Sequence, residues 1–218
     1  MRSYVVRQGD YLAKIAALFG VSPDAIWEMP QNKELKDRRD PNILAPGDVV
    51  RIPERAEDVR RYGANRDNRF QVEVPTVPLK MVFSEYGKPL ASEDYEVHGM
   101  GRVVRGKTDG EGRATLQVRA DVDAVEVRFA ARKLQYVLRV GYLDPVDTEL
   151  GVAQRLARLR YLYIPEGATG PRLRARLARA IALFQRDEGL EVTGQRHPET
   201  IERLLARWSA ALIKPKGV

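Results

Sequence analysis

The spacing of apolar residues changes character three times along the chain. Tyr4-Val5-Val6 is β-rich, Gly9-Asp10 is a turn signal, and Leu12, Ile15, Ala16 and Phe19 then recur at helical spacing, which predicts a strand, a turn and a helix. Gly20 suits the position after a helix end. Ser22 can cap a second helix and Pro23 fits its first turn, where a missing N–H costs nothing, setting Ala25, Ile26 and Met29 against the same core. A polar loop from Gln31 to Asn42 follows, then a turn at Pro46-Gly47-Asp48 and a strand, Val49-Val50-Arg51-Ile52, closed by Pro53. Residues 1–54 thus read as a βααβ unit.

Residues 55–68 turn to Arg, Asp, Glu, Ala and Gly and read as a linker or a short exposed helix between domains. From 69 to 143 the period is two, with Phe70/Val72/Val74, Leu79/Met81/Phe83, Ala114/Leu116/Val118, Val125/Val127/Phe129 and Tyr136/Leu138/Val140 as same-face sets. Turn chemistry at Tyr86-Gly87-Lys88-Pro89 and Thr108-Asp109-Gly110-Glu111-Gly112 agrees with an antiparallel β-sandwich. Helical spacing returns over 144–213. Leu150, Ala153, Leu156, Ala157 and Leu159 form one helix, a loop runs from Pro165 to Pro171, and Leu173, Leu177, Ala180, Ile181 and Phe184 share one face of a second. Ile201, Leu204, Leu205 and Trp208 complete a three-helix bundle, and residues 214–218 form a tail. The fold class expected is multi-domain α+β.

With 44% hydrophobic and 31% charged residues, fibrous and wholly disordered classes are excluded, and no apolar run approaches the roughly 18 residues that cross a bilayer. The absence of cysteine removes thiol catalysis, disulfides and thiolate metal sites. Of the net charge of +7, residues 149–218 account for most, with 13 basic against 7 acidic side chains. Arg172, Arg176 and Arg179 make a basic face on the second helix of the bundle. Anionic wall polymers, an acidic protein surface or solubility each account for that face. Nucleic acid is disfavoured because no aromatic platform or reading motif accompanies it. The N-terminus runs straight into polar sequence without the apolar core of a secretory signal, so synthesis in the cytoplasm is expected, with any delivery to the periplasm or wall by a non-classical route.

Candidate catalytic chemistry is thin. His98 beside Gly99 reads as a β-turn residue and His197 before Pro198 as a helix start, and no paired-histidine spacing exists for zinc. A lytic glycosidase needs one or two positioned carboxylates, for which Glu93, Asp94 and Glu96, or Asp121 and Asp123, are the candidates, yet they sit in turn-rich, exposed stretches that read as solvated charge. No serine lies in a Gly-x-Ser-x-Gly elbow. Trp27 and Trp208 fall on apolar helical faces and read as core. A non-enzyme with no cofactor and no metal site is expected.

Tyr4-x-Val6-x-x-Gly9-Asp10-x-Leu12-x-x-Ile15-Ala16-x-x-Phe19-Gly20, followed by Ile26, Asn32, Leu44-x-Pro46-Gly47-Asp48 and Ile52-Pro53, resembles a LysM domain. That resemblance implies a shallow groove for N-acetylglucosamine-containing glycans such as peptidoglycan, lined by Gly9, Asp10, Tyr11 and Leu12 on one loop and Asn42, Ile43, Leu44 and Pro46 on the other. The residues alone also admit Gly9-Asp10 as a plain strand-to-helix turn. Two departures stand out: Tyr11 where the family commonly has Thr or Ser, and a longer charged loop from Lys33 to Asp40. Either narrows the groove or repurposes it.

Gly151-Val152-x-x-Arg155-Leu156-x-x-Leu159-x-Tyr161 and Ala180-x-x-x-Phe184-Gln185-x-x-x-Gly189-Leu190-x-Val192-Thr193-Gly194, with Thr200 and Leu204, resemble the three-helix peptidoglycan-binding domain found beside cell-wall hydrolases. Its loop from Ile164 to Pro171 departs from the family pattern, and Phe184-Gln185 reads as packing and loop pairing. The middle region is similar to small immunoglobulin-like or regulatory-like domains through Gly87-Lys88-Pro89-Leu90 and Gly106-x-Thr108-Asp109-x-x-Gly112. The whole order resembles proteins that accompany type VI secretion or contractile injection systems. Two functions are expected of such a chain: a non-catalytic peptidoglycan-binding protein with Arg172, Arg176 and Arg179 as a second wall contact, or an adaptor or effector-loading component that binds secretion-spike or effector proteins and no glycan.

Overall fold

The computed structural model describes residues 1–54, 74–165 and 170–213, with side chains to 210. The expected linker 55–68, the strand residues Phe70 and Val72, most of the Pro165–Pro171 loop and the tail lie outside the described residues.

The N-terminal unit begins with β1 (Arg2–Val5), paired antiparallel with β2 (Val49–Ile52), Tyr4 opposite Val50. Between them come α1 (Leu12–Phe19), α2 (Pro23–Trp27) and a third helix, α3 (Lys33–Arg38), entered through a 3-10 turn at Pro30–Asn32. The expected polar loop from Gln31 to Asn42 is therefore partly helical. One apolar side chain, the buried Leu35, anchors α3, and Lys33 pairs with Asp37 at 3.8 Å along its exposed side. Asn32 is buried and its amide donates to the carbonyls of Ile26 and Arg51 while accepting from the Arg51 N–H, so it pins the helices to β2. Ser22 caps α2 as expected. Of Ala25, Ile26 and Met29, only Ile26 is fully buried, because a helix of five residues presents little more than one side chain to the core. Val6, Leu12, Ile15, Ala16, Ile26, Leu35, Leu44, Val50 and Ile52 form that core, against which Trp27 packs.

The middle unit contains β3 (Thr76–Val82), β4 (Ser84–Glu85), β5 (Lys88–Pro89), β6 (Asp94–His98), β7 (Val104–Lys107), β8 (Arg113–Arg119), β9 (Ala124–Phe129) and β10 (Leu134–Arg139). All pairs are antiparallel. One sheet has the order β10-β9-β6-β7, β3 and β8 form a ribbon, and β4 and β5 a short hairpin at the predicted Tyr86-Gly87 turn. Side chains alternate across each strand, so Met81, Leu116 and Val118 from the ribbon meet Tyr95, Val97, Val125, Val127 and Phe129 from the sheet, with Phe83 against Phe129 edge-to-face at 5.0 Å. Asp109 Oδ1 accepts from the N–H groups of Glu111 and Arg113, the turn expected before β8.

In the C-terminal unit, Thr148 caps α4 (Glu149–Arg158), and α5 (Gly170–Asp187) and α6 (Pro198–Ile213) close the bundle. Leu173, Leu177, Ala180, Ile181 and Phe184 are all buried on the predicted face of α5. No described helix is long and apolar enough to cross a membrane. Gln185 is 1% exposed and fully employed. Its Oε1 accepts from the N–H groups of Thr193 and Gly194, and its Nε2 donates to Thr193 Oγ1, Gln195 O and Thr200 Oγ1. Gln185→Ala leaves two backbone N–H groups without partners inside the fold, and a loss of about 3 kcal/mol is expected in denaturant unfolding of the full chain.

Candidate functional site

The two loops expected to face a sugar do come together: the Leu12 N–H donates to Pro41 O at 2.8 Å. Their exposure is unequal. On the second loop Asn42 and Pro46 are exposed, Ile43 is half-buried, and Leu44 is turned into the core. Asp40 shapes this loop by accepting from the Asn42 N–H at 2.7 Å. Asp48, 7% exposed, braces it by accepting from Ala45 N–H and from Arg39 Nε.

On the first loop Gly9, Asp10, Tyr11 and Leu12 are all buried. Leu12 belongs to the N-terminal core. The Asp10 carboxylate accepts from Tyr4 Oη at 2.7 Å and from the Arg7 N–H at 2.8 Å, so it closes the strand-to-helix turn instead of facing solvent. Tyr11 leaves its own unit and joins the core of the β-domain, 2% exposed, its hydroxyl donating to Ala120 O at 3.2 Å. Gly9 and Gly141 face each other where that contact is tightest, both with positive φ. A Cβ on Gly141 would stand 2.5 Å from Gly9 O and 2.6 Å from Tyr11 Cδ1, and a Cβ on Gly9 would stand 2.9 Å from the Tyr142 ring. Lys14 Nζ spans the seam, donating to Gly9 O at 3.3 Å and to Asp123 at 2.6 Å.

The seam continues into the bundle. Asp144 is 4% exposed; its carboxylate accepts from Gln154 at 2.6 Å and from Gln8 at 3.3 Å, and its carbonyl accepts from Arg155 Nη1 at 2.8 Å. Arg155 is itself buried under Trp208, 5.2 Å from the ring centroid, and burial draws its guanidinium below its ordinary value. Arg39 bonds Asp147 at 2.7 Å, and Arg196 donates to Asp147 O at 3.0 Å. Sequence reasoning did not find this junction, although Tyr11 in place of a small hydroxyl was its one visible sign.

Two accessible features lie on the bundle. Arg172, Arg176 and Arg179 are exposed along one side of α5, and among the described residues no carboxylate pairs with them. An open groove of about 590 Å³ runs between Val146–Asp147 and α6, lined by Val146, Pro198, Ile201 and Leu205 together with Asp147, Arg196 and Glu202. No motif or spacing signals that groove, because its walls are distant in the chain. The carboxylates considered for glycosidase chemistry are spent in ion pairs: Glu93 with Arg132, Glu96 with Arg105, Asp121 with Arg119 and Asp123 with Lys14. His98 ends β6 within 3.4 Å of Glu96, and the carbonyl of His197 accepts the first bond of α6.

Residues 4–53 match the family model of the LysM domain, and residues 152–204 match the model described as "Putative peptidoglycan binding domain". The chain carries a LysM domain and a peptidoglycan-binding domain. Neither matched segment includes the β-domain, and no curated protein and no solved structure matches the chain. Both matched domains are binding domains. In the LysM domain, therefore, one wall of the expected sugar groove stays open to solvent at Asn42 and Pro46, and the other is covered.

Burial, with the Asp121 and Asp123 carboxylates adding to it, pushes the Tyr11 phenol from 10.0 up to about 12. Because the folded value is raised, the stability of the buried neutral phenol is complete below pH 10 and lost as pH climbs through about 12. An unfolding midpoint that falls over that interval in the wild type, and falls less in Tyr11→Phe, is the expected outcome.

Proposed function

We propose that this chain is a non-catalytic peptidoglycan-binding protein whose wall contact is made through the C-terminal bundle. The observation that carries this reading is the presence of wall-binding domains at both ends of the chain, of which the C-terminal one leaves its basic face and groove open. Arg172, Arg176 and Arg179 stand at i, i+4 and i+7, one face of α5, where they attract anionic groups of the wall polymer. The groove at α6 adds an apolar floor and both signs of charge, which suits a short polar polymer better than a flat surface does.

A second reading is favoured by the buried first loop of the LysM domain: an adaptor or effector-loading component of a type VI secretion or contractile injection apparatus, binding spike or effector proteins. Such an apparatus also supplies a non-classical route from the cytoplasm to the wall. Neighbouring spike or sheath genes favour it, and neighbouring hydrolase genes favour the wall reading.

Co-sedimentation of the full chain with insoluble peptidoglycan at low and high salt tests the proposal. Binding is expected at low salt, reduced about tenfold by the combined Arg172→Glu, Arg176→Glu and Arg179→Glu substitutions, with the difference between variant and wild type shrinking at high salt as exposed charges are screened. No sedimentation at either salt overturns the wall reading and leaves the adaptor.

A further inference from the structure

The first loop of the LysM domain is unavailable for a reason that its own chemistry reveals. Tyr11 occupies the N-cap position of α1, where Ser or Thr would accept a bond from the first turn, yet it makes no side-chain cap bond. The helix start forgoes a favourable cap, and the ring goes to the β-domain core, where it is 2% exposed and its hydroxyl reaches Ala120 O. The backbone groups that line this loop are also spent. Gly9 O accepts from Lys14 and lies against Gly141, the Tyr142 ring covers Gly9, and the Leu12 N–H donates to Pro41.

We infer that the β1–α1 loop of the LysM domain is the docking surface for the chain's own β-domain. Segment 120–123 and segment 140–142 occupy it, and the domain serves in the intact protein as a clamp rather than as a free sugar module. The surface fits this occupant in three ways. It places an aromatic ring in the buried core of the β-domain, sets glycine against glycine at the tightest approach, and puts Lys14 opposite Asp123 at 2.6 Å. The inference goes beyond peptidoglycan binding by the bundle and stands whether or not the bundle binds the wall.

Amide hydrogen exchange of the full chain, with and without a soluble N-acetylglucosamine pentamer, tests it. In the wild type the pentamer is expected to leave exchange at Gly9 to Leu12 unchanged. Tyr11→Thr restores a good cap residue to α1 and empties the seam, so exchange at Ala120 and Val140 should rise by more than about tenfold, while Ile15 and Ala16 in the LysM core stay protected. Tyr11→Phe, which keeps the ring, should move Ala120 and Val140 far less. Protection of Gly9 to Leu12 by the pentamer in the wild type overturns the inference, and needs no variant. Unchanged exchange at Ala120 and Val140 in Tyr11→Thr overturns it as well. Loss of sacculus binding moves none of these readouts, so this inference and the wall reading fail separately.

Discussion

One phenol ring, buried outside the domain that carries it, sets the relation between the LysM domain and everything after it. Burying an aromatic side chain of this size contributes on the order of 2–3 kcal/mol, and the bond from its hydroxyl to Ala120 O keeps the polar end from cancelling that gain. The ion pairs along the seam are weaker by comparison. Asp123 and Asp147 are each more than half exposed, so Lys14–Asp123 and Arg39–Asp147 contribute at most about 1 kcal/mol apiece. They fix orientation, and the ring and the facing glycines supply the adhesion.

The same seam decides where the bundle sits. Val140 is still part of the β-domain core, Gly141 lies under Tyr11, and Asp144 is already bonded to α4. Five residues therefore pass from one core to the next without slack. Gly151 tightens the passage, since its backbone lies so close to the Pro145 carbonyl that a side chain would collide with it. Arg155 then ties Asp144 O and Gly151 O together from beneath. A buried guanidinium is costly to hold, and here its charge is met by carbonyl dipoles and the Trp208 face, which makes it a peg specific to this geometry.

Periodicity revealed the elements that bury many residues in a regular pattern. The β-sandwich faces ending in Phe83, Val118 and Phe129 and the α5 face from Leu173 to Phe184 were legible because each repeats one period several times. Elements with only one or two anchors were not. The helix α3 rests on Leu35 alone, and β6 and β7 carry few apolar positions, Gly106 lying under the Tyr95 ring with no space for a side chain of its own. The candidate glycan residues were legible as a motif but not in their exposure. A spacing rule sees Gly9-Asp10 and Leu44-x-Pro46 within one domain, and it has no view of the segments 120–123 and 140–142, more than a hundred positions away, that cover the first of them. Tyr11 was visible as an oddity, and its meaning required the partner.

The closed loop also changes how affinity for a wall can arise. Two weak sites on one chain reinforce each other only if both can engage the same mesh, the second acting at the effective concentration set by the first. With Gly9 and Tyr11 committed to the β-domain, the LysM domain offers only the outer lip at Asn42 and Pro46, which lacks an opposing wall to enclose a sugar. Under the proposed wall reading, avidity within one chain is then largely lost, and the basic face of α5 and the groove at α6 would bind on their own terms. On that same reading, the Arg39–Asp147 and Gln8–Asp144 bonds tie the bundle to the LysM domain, so the charged face is oriented before contact and less ordering is needed during it.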